Sequence, residues 1–281
     1  MNPVIAITSP GNMGAAVGGR LTAHGVKVLA KITGRSAASR QRAAANGLID
    51  AADSDLVQAD ILLSIVPPKV ALTTADRLAP ALRQAIRKPI YVDCNAISPA
   101  TAARIGEVLA ATGTPYVDGG IIGGPPRDGY TPRLYVSGPD ASKVETLNNF
   151  GLDVRVIEGG IGAASALKLS YAGINKGVIG LGAAMVLAAK RAGVEDALMR
   201  ELSDSQRALL SQLSRGVPDM FSKAERWAPE MEEIANYAEL DGEAEVYRGL
   251  ARFYERLAKD LDGPHKEIDS LETFFKTPRK D

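Results

Sequence analysis

The sequence predicts an α/β protein: a Rossmann-type doubly wound parallel sheet over residues 1–159, followed by an all-helical domain over 160–281. Three observations carry this. A short apolar run, Pro3 to Thr8, enters a glycine-bearing turn and then an amphipathic pattern. Short apolar runs then alternate with helical patterns as far as Ile157. After Gly160 only helical periodicity remains, and it opens with a long apolar stretch that Gly193 stops.

Composition sets the outer limits. With 281 residues, 46% of them hydrophobic, the chain is long enough for two globular domains. Formal net charge is zero, which gives no global electrostatic reason for a nucleic-acid or anionic-membrane partner, and neither is expected. The charge is unevenly placed, however. From Met1 to Ile49 there is no acid but there are six basic residues, Arg20, Lys27, Lys31, Arg35, Arg40 and Arg42, a bias that suits an anionic ligand. The single cysteine, Cys94, excludes an internal disulfide and fits a reducing, cytoplasmic setting, with the thiol packed in a strand. No signal peptide is expected. The most apolar run, Gly177 to Ala189, is about 13 residues, below the roughly 18 to 20 needed to cross a bilayer. The two histidines, His24 and His265, are far apart and lack a cysteine partner, so no metal site is expected.

Taken in order, the first strand meets Ser9-Pro10-Gly11-Asn12-Met13-Gly14, with a helix running to about His24. This is the context of the dinucleotide fingerprint Gly-x-Gly-x-x-Gly, with Ser9 in the first glycine position. Gly11 lets the backbone approach a pyrophosphate, Gly14 lets helix pack on strand, and the helix N-terminus offers N–H groups to phosphate. The next strand, Val26 to Ile32, ends in Thr33-Gly34-Arg35-Ser36. An NAD-binding chain usually places an acid near here for the ribose 2′-hydroxyl. Arg35 stands instead, with Ser36, Ser39 and Arg40 within a turn of it, a set suited to a 2′-phosphate; the expected cofactor is NADP(H).

Gly47 to Ala51 reads as a short third strand, and Ala59 to Val66 as a buried parallel strand ending at Pro67-Pro68. The strand tip at Val66 and Pro67 faces the ligand side of a doubly wound sheet. Pro89 to Asp93 is another strand, followed by Asn95, which suits contact with nicotinamide or substrate and equally suits a plain turn. Ser98 caps a helix that has Pro99 at its first position. Pro115 to Asp118 is a further strand. The glycines after it, through Ile122-Gly123-Gly124, leave backbone N–H groups for an oxyanion or carboxylate, or form a flexible connection. Arg133 to Ser137 and Val154 to Ile157 close the sheet, with a helix from Ala141 to Asn149 between them.

The long helix extends from about Gly160 to Ala192. Helical spacing puts Ser165, Lys168, Tyr171, Ala172 and Asn175 on one face, with Lys168 the one basic residue in apolar surroundings. Further helices are expected over Glu195–Leu213, Pro218–Ala238 and Asp241–Leu261, with Trp227 in the core or a dimer interface and a frayed charged tail from Lys276.

On these motifs the chain resembles the 3-hydroxyacid dehydrogenase and 6-phosphogluconate dehydrogenase family over nearly its whole length. It is most similar to the phosphogluconate-dehydrogenase-like subgroup with its own helical C-terminal domain, through Asp93-Cys94-Asn95-Ala96-Ile97-Ser98-Pro99, Leu167-Lys168-Leu169-Ser170-Tyr171-Ala172 and Glu230-Met231-Glu232-Glu233. The resemblance implies that Lys168 is the catalytic acid/base and that the chain is a homodimer with interleaved helices. A lysine in apolar surroundings should also have a lowered pKa, which suits that role. Two departures stand out. Ala172 replaces the family's usual asparagine, leaving Tyr171 and Asn175 as polar substitutes, and Ile122 replaces the serine of the substrate segment, which favours a bulkier or less polar carbonyl compound. The expected activity is hydride transfer between nicotinamide and a hydroxyl/carbonyl pair. Imine reduction and a catalytically silent NADPH-binding sensor are the alternatives.

Overall fold

The computed structural model describes residues 2–276 of the 281. The chain divides into two compact units, Met1–Leu169 and Ser170–Asp281. The first is built on one eight-stranded sheet. Its strands are β1 (Val4–Ile7), β2 (Lys27–Ala30), β3 (Ile49–Asp50), β4 (Ile61–Ser64), β5 (Ile90–Asp93), β6 (Tyr116–Ile122), β7 (Arg133–Ser137) and β8 (Asp153–Val156). Their order is β3-β2-β1-β4-β5-β6-β7-β8, parallel from β3 through β6, with β7 antiparallel to β6 and β8 parallel to β7. The chain direction across the sheet reverses between β1 and β4, which makes their C-terminal ends the switch point where such folds bind ligands.

Both faces of the sheet are covered, as fully apolar central strands require. Ile5, Ile7, Val28, Leu63, Val92 and Val117 enter one core with Val17 and Leu21 of α1 (Asn12–Ala23). Ala6, Leu62 and Tyr91 enter a second core with Leu78 and Leu82 of α4 (Ala71–Gln84) and Ile105 and Leu109 of α5 (Pro99–Ala110). Two shorter helices, α2 (Ala37–Ala45) and α3 (Asp53–Leu56), complete the early crossovers. Ser98 caps α5, its hydroxyl accepting from the Thr101 amide at 3.2 Å, and Pro99 stands first in the helix, as the sequence indicates.

One reading of this unit needs correcting. β6 does not end at Asp118 but continues through Gly119, Gly120 and Ile121 to Ile122, because β7 pairs with it there. Those glycines are strand residues, and the irregular backbone begins only at Gly123. The helix expected over Ala141–Asn149 is present as a 3-10 helix, Ala141–Phe150, and ends at Gly151 in the left-handed region, φ 82°.

The long helix, α6 (Ala163–Ala192), ends at Gly193, whose φ of 70° only glycine adopts freely. The first compact unit extends into this helix as far as Leu169, and side chains of the sheet hold its first turns. As a continuous thirty-residue helix, α6 is by length and composition apolar enough to cross a membrane, a point that counting the run Gly177–Ala189 alone overlooks. Core helices pass the same test, and Ala183, Val186 and Leu187 are buried.

The second unit continues with α7 (Glu195–Ser205), α8 (Arg207–Met220), a 3-10 turn (Phe221–Lys223), α9 (Ala224–Ala238), α10 (Asp241–Leu261) and α11 (Lys266–Lys276). The single helix expected over Glu195–Leu213 breaks at Gln206, φ −134° and ψ 46°, after serines whose hydroxyls bond back to the carbonyls of Met199 and Glu201. Pro218 lies inside α8 instead of starting a helix, and the break comes at the 3-10 turn. Helix α11 is an addition; Asp260 starts it by accepting from the amides of Lys266, Glu267 and Ile268. The charged tail lies, beyond Lys276, outside the described residues. Trp227 is a core residue, edge-on to Tyr254 at 5.4 Å. Glycines of α6 let α10 approach closely: a Cβ at Gly180 would meet both Leu250 and the Tyr254 hydroxyl at 2.7 Å.

Candidate functional site

The site residues of the first unit gather at the C-terminal ends of β1, β2, β4, β5 and β6. At β1, Gly11 precedes α1 with φ −67° and ψ −177°, no side chain caps the helix, and no acid stands in its first turn. Asn12 and Met13 open the helix, so their N–H groups are among the orphans of its first turn. A Cβ at Gly14 would collide with the Ser9 carbonyl oxygen, so glycine is required there; nothing lies within 4 Å of the corresponding position at Gly11. The turn is tight where strand and helix meet and open where a phosphate would lie, which fits a dinucleotide.

At the end of β2, Gly34 takes φ 83° and turns the chain so that Arg35 reaches back, its Nη2 donating to the Thr8 carbonyl at 3.4 Å. Arg40 Nη1 donates to the Arg35 carbonyl at 2.5 Å. Ser36 caps α2, accepting from the Ser39 amide at 3.3 Å, and Ser39 accepts from Arg42. The basic cluster and the glycine turn are therefore adjacent. Sequence reasoning missed Asp50, the first acid of the chain. It accepts from the amides of Ile32 and Thr33 at 2.9 and 3.0 Å and from the Thr33 hydroxyl. These bonds, the hydroxyl's first, hold its carboxyl down at about 2 and fix the shape of the turn that presents Arg35. The sequence places Asp50 in the short third strand, but only the pairing of that strand with β2 shows that its carboxylate reaches the turn.

The tips of β4 and β5 are joined by Asn95. Its Oδ1 accepts from the Val66 amide at 2.7 Å, its Nδ2 donates to Ser64 Oγ at 3.2 Å, and its own amide donates to Asp93 at 2.8 Å. With 3% exposure and these partners, Asn95 serves the framework: it sets the strand end that carries Val66 and Pro67.

Lys168 stands where β5 and β6 end. Its Nζ donates to the Cys94 carbonyl at 3.4 Å, and its Cβ lies 3.0 Å from where a Cβ on Gly120 would be, so that glycine makes room for it. Burial is the largest influence on the ammonium and lowers its pKa to about 8, against the opposing pull of Cys94, Asp93 and Asp118. Ile122, two residues beyond Gly120, shows the same face of the strand.

Asp118, fully buried on β6, anchors the helix that bears Lys168. Oδ2 accepts from the amides of Gly162 and Ser165 at 3.0 and 2.9 Å, and Oδ1 from the Ser165 hydroxyl at 2.6 Å. Ser137 of β7 donates to Asp118 and accepts from the Ala164 amide at 3.0 Å. Three orphan amides of a buried helix start are thereby satisfied. Nearby, Asp93 Oδ2 and the hydroxyls of Tyr91 and Tyr116 are buried without partners; burial pushes Asp93 up to about 7.

Tyr171 and Asn175 belong to the second unit. Tyr171 is half exposed, and Asn175 Nδ2 donates to the Tyr171 carbonyl at 2.9 Å. Gly123 and Gly124 begin the loop after β6, and a Cβ on Gly124 would meet nothing within 4 Å. Among the described residues no group of three or more metal-ligating side chains occurs.

Comparison with known proteins agrees with this architecture. Residues 5–150 match the NAD binding domain of 6-phosphogluconate dehydrogenase, and residues 189–257 match a domain of unknown function, DUF1932. An uncharacterized 28.5 kDa protein of Methanothermus fervidus is 30% identical over 183 residues, 64% of this chain and 69% of that protein. A conserved protein of unknown function, described as structurally similar to 3-hydroxyacid dehydrogenases, superposes with a TM-score of 0.74 at 28% identity, covering 92% of this chain and 97% of the other. The Mycobacterium tuberculosis 3-hydroxyisobutyrate dehydrogenase, solved with L-serine, shares the fold at 19% identity and a TM-score of 0.69, over 99% of this chain and all of its own. With the glycine turn at the head of a largely parallel sheet and a helical unit following in sequence, the chain belongs to the family defined by the NAD-binding domain of 6-phosphogluconate dehydrogenase, in the branch that carries a DUF1932 C-terminal domain.

Proposed function

We propose that the protein is an NADP(H)-dependent oxidoreductase that interconverts a hydroxyl and a carbonyl group, with Lys168 as the proton carrier. The observation that carries this is Lys168 itself: a lysine at the C-terminal edge of the sheet, its ammonium brought to about 8 by burial and bonded to a single backbone carbonyl. An ordinary surface lysine, near 10.4, releases its proton too reluctantly to act as a base at neutral pH. Lys168 instead donates a proton to a carbonyl oxygen during reduction and accepts one from a hydroxyl during oxidation.

The nicotinamide, when bound, supplies or accepts the hydride. Ser9, Gly11, Asn12, Met13 and Gly14 would receive the pyrophosphate, and Gly34, Arg35, Ser36 and Arg40 the 2′-phosphate, where a guanidinium gives charge-assisted hydrogen bonds. Val66 and Pro67 form the strand tip beside them, held by Asn95. Ile122, Gly123 and Gly124 are the substrate segment in this reading. Tyr171 and Asn175 remain candidates for a second proton donor and a substrate contact.

Association extends the proposal. Tyr171, Ile174, Leu181 and Met185 are 51, 66, 53 and 60% exposed and recur along α6 at helical spacing, an apolar stripe that a second copy of the chain would cover in a homodimer.

Fluorescence titration with NADPH and NADH tests the cofactor assignment. NADPH should bind at least tenfold more tightly, and Arg35→Ala should remove most of that difference while leaving NADH unchanged. Equal binding of the two nucleotides by the unaltered protein would overturn it.

A further inference from the structure

One row of side chains across the sheet breaks its apolar pattern. Ser64, Asp93, Asp118 and Ser137 are register partners on β4, β5, β6 and β7, and all four are fully buried. One step back on the same face, Leu62, Tyr91 and Tyr116 are likewise in register and belong to the core under α4 and α5. Two carboxyls side by side on neighbouring strands in a dry core are costly unless both are satisfied or one gives up its charge.

The two are treated unequally. Asp118 receives four hydrogen bonds, two of them from backbone amides, which can only donate, so its charge is anchored. Asp93 Oδ1 accepts from the Asn95 amide at 2.8 Å, with a lesser pull from the Asn95 side chain, and Oδ2 has no partner among the described residues. Its carboxyl accordingly keeps its proton up to about 7, burial being the main cause.

Lys168 is set against this row. Gly120, which makes room for its side chain, lies two residues beyond Asp118 on the same face of β6. Its Nζ donates to the carbonyl of Cys94, the residue after Asp93, at 3.4 Å. The titratable groups that face Asp93 are Tyr91 and Cys94 of β5, Tyr116 and Asp118 of β6, and Lys168 of α6. Helices α4 and α5 add apolar side chains, and Arg77 of α4, which acts on Tyr91, is ion-paired with Asp53. Lys168 is thus the one cation among the groups that face Asp93.

We infer that Asp93 is a positioning residue that acts through Lys168, its uncommitted carboxyl being the counter-charge that sets how firmly Lys168 holds its proton; this rests on the reading of Lys168 as the proton carrier. Uncharged, Asp93 leaves the ammonium to Asp118, whose oxygens four donors already claim. Charged, it adds an attraction for which no donor competes at Oδ2. The two protons therefore leave as a coupled pair, and the lysine, which burial alone would bring lower, is kept at about 8.

The test reads the lysine directly and needs no substrate. In full-length protein carrying lysine labelled with 13C at Cε, NMR reports the charge of Lys168, and Lys168→Arg assigns its signal. The midpoint should be about 8 in the unaltered protein and about one pH unit lower in Asp93→Asn, which keeps an oxygen for the Asn95 amide and loses the charge. Where turnover is measurable, the break in kcat/KM should move with it. A role in packing alone would lower stability and leave that midpoint in place. The Asp93 carboxyl carbon gives a second reading that needs no variant: it should titrate at about 7, and a midpoint below about 5 would overturn the inference. A Lys168 midpoint that stays at about 8 or rises in Asp93→Asn would overturn it too, leaving Lys168 as the proton carrier. A Lys168 midpoint of about 10.4 in the unaltered protein would instead sink the parent reading, and this inference with it.

Discussion

At the scale of single residues, the molecule puts one titratable side chain in balance. Burial lowers the Lys168 ammonium, while Asp93 and Asp118 raise it, and the outcome, about 8, lies where either protonation state is accessible. The sign of the pH dependence follows. Reduction needs the ammonium, so its kcat/KM should be level below about pH 8 and fall roughly tenfold per pH unit above it. Oxidation needs the free amine and should rise through the same value. Steady-state rates in both directions between pH 6 and 10 check this, and identical profiles for the two directions would rule the assignment out. Lys168→Ala should lower kcat by about 10² to 10⁴ without changing nucleotide affinity; Lys168→Arg should do no better, because a guanidinium does not release its proton. The residue was legible in sequence because a lysine amid alanines and leucines on a long helix is conspicuous. Asn95 was legible only as a polar residue at a strand tip. Its inward turn toward Val66 and Ser64 depends on β4 and β5 being neighbours, which no local pattern states.

At the scale of elements, aspartates start two helices from outside the helix's own first turn, Asp118 for α6 and Asp260 for α11. Local capping signals are Ser, Thr, Asn or Asp directly before a helix, so a cap supplied by a strand 44 residues earlier has no sequence signature. That is also why the first compact unit extends into α6. Asp118→Ala would leave the Gly162 and Ser165 amides and the Ser165 hydroxyl buried without acceptors. It should cost about 2 to 4 kcal/mol in urea unfolding, with activity falling beyond what lost stability explains as Lys168 loses its mount. Asp118→Asn keeps one acceptor oxygen and should fall between. A fully stable Asp118→Ala protein would contradict this account of α6. The glycine run after Asp118 misled for a related reason: alone it reads as a loop, but an antiparallel partner makes it strand.

At the scale of the whole molecule, the order of strands and helices was readable because apolar runs of period two and 3.6 are the terms in which the cores are written. Breaks within the helical unit were not, since Gln206 and the turn after Met220 lie in stretches without a glycine at the break. The exposed stripe on α6 belongs to this scale as well, because the proposed homodimer would cover it. Light scattering at micromolar concentration should give twice the chain mass of 29.6 kDa, and Leu181→Glu with Met185→Glu should return it to the monomer. A monomeric unaltered protein would remove the dimer from the proposal. The remote cap on α6 finally has a bearing on what the lysine depends on. The amides of Gly162, Ala164 and Ser165 find acceptors only on β6 and β7, at separations of 27 to 47 residues, so the start of that helix has nothing to bond to until the sheet has closed around those strands. The arm carrying Lys168 is therefore fixed only once β6 and β7 have paired, so the mount of the proton carrier depends on the far edge of the sheet rather than on its own helix.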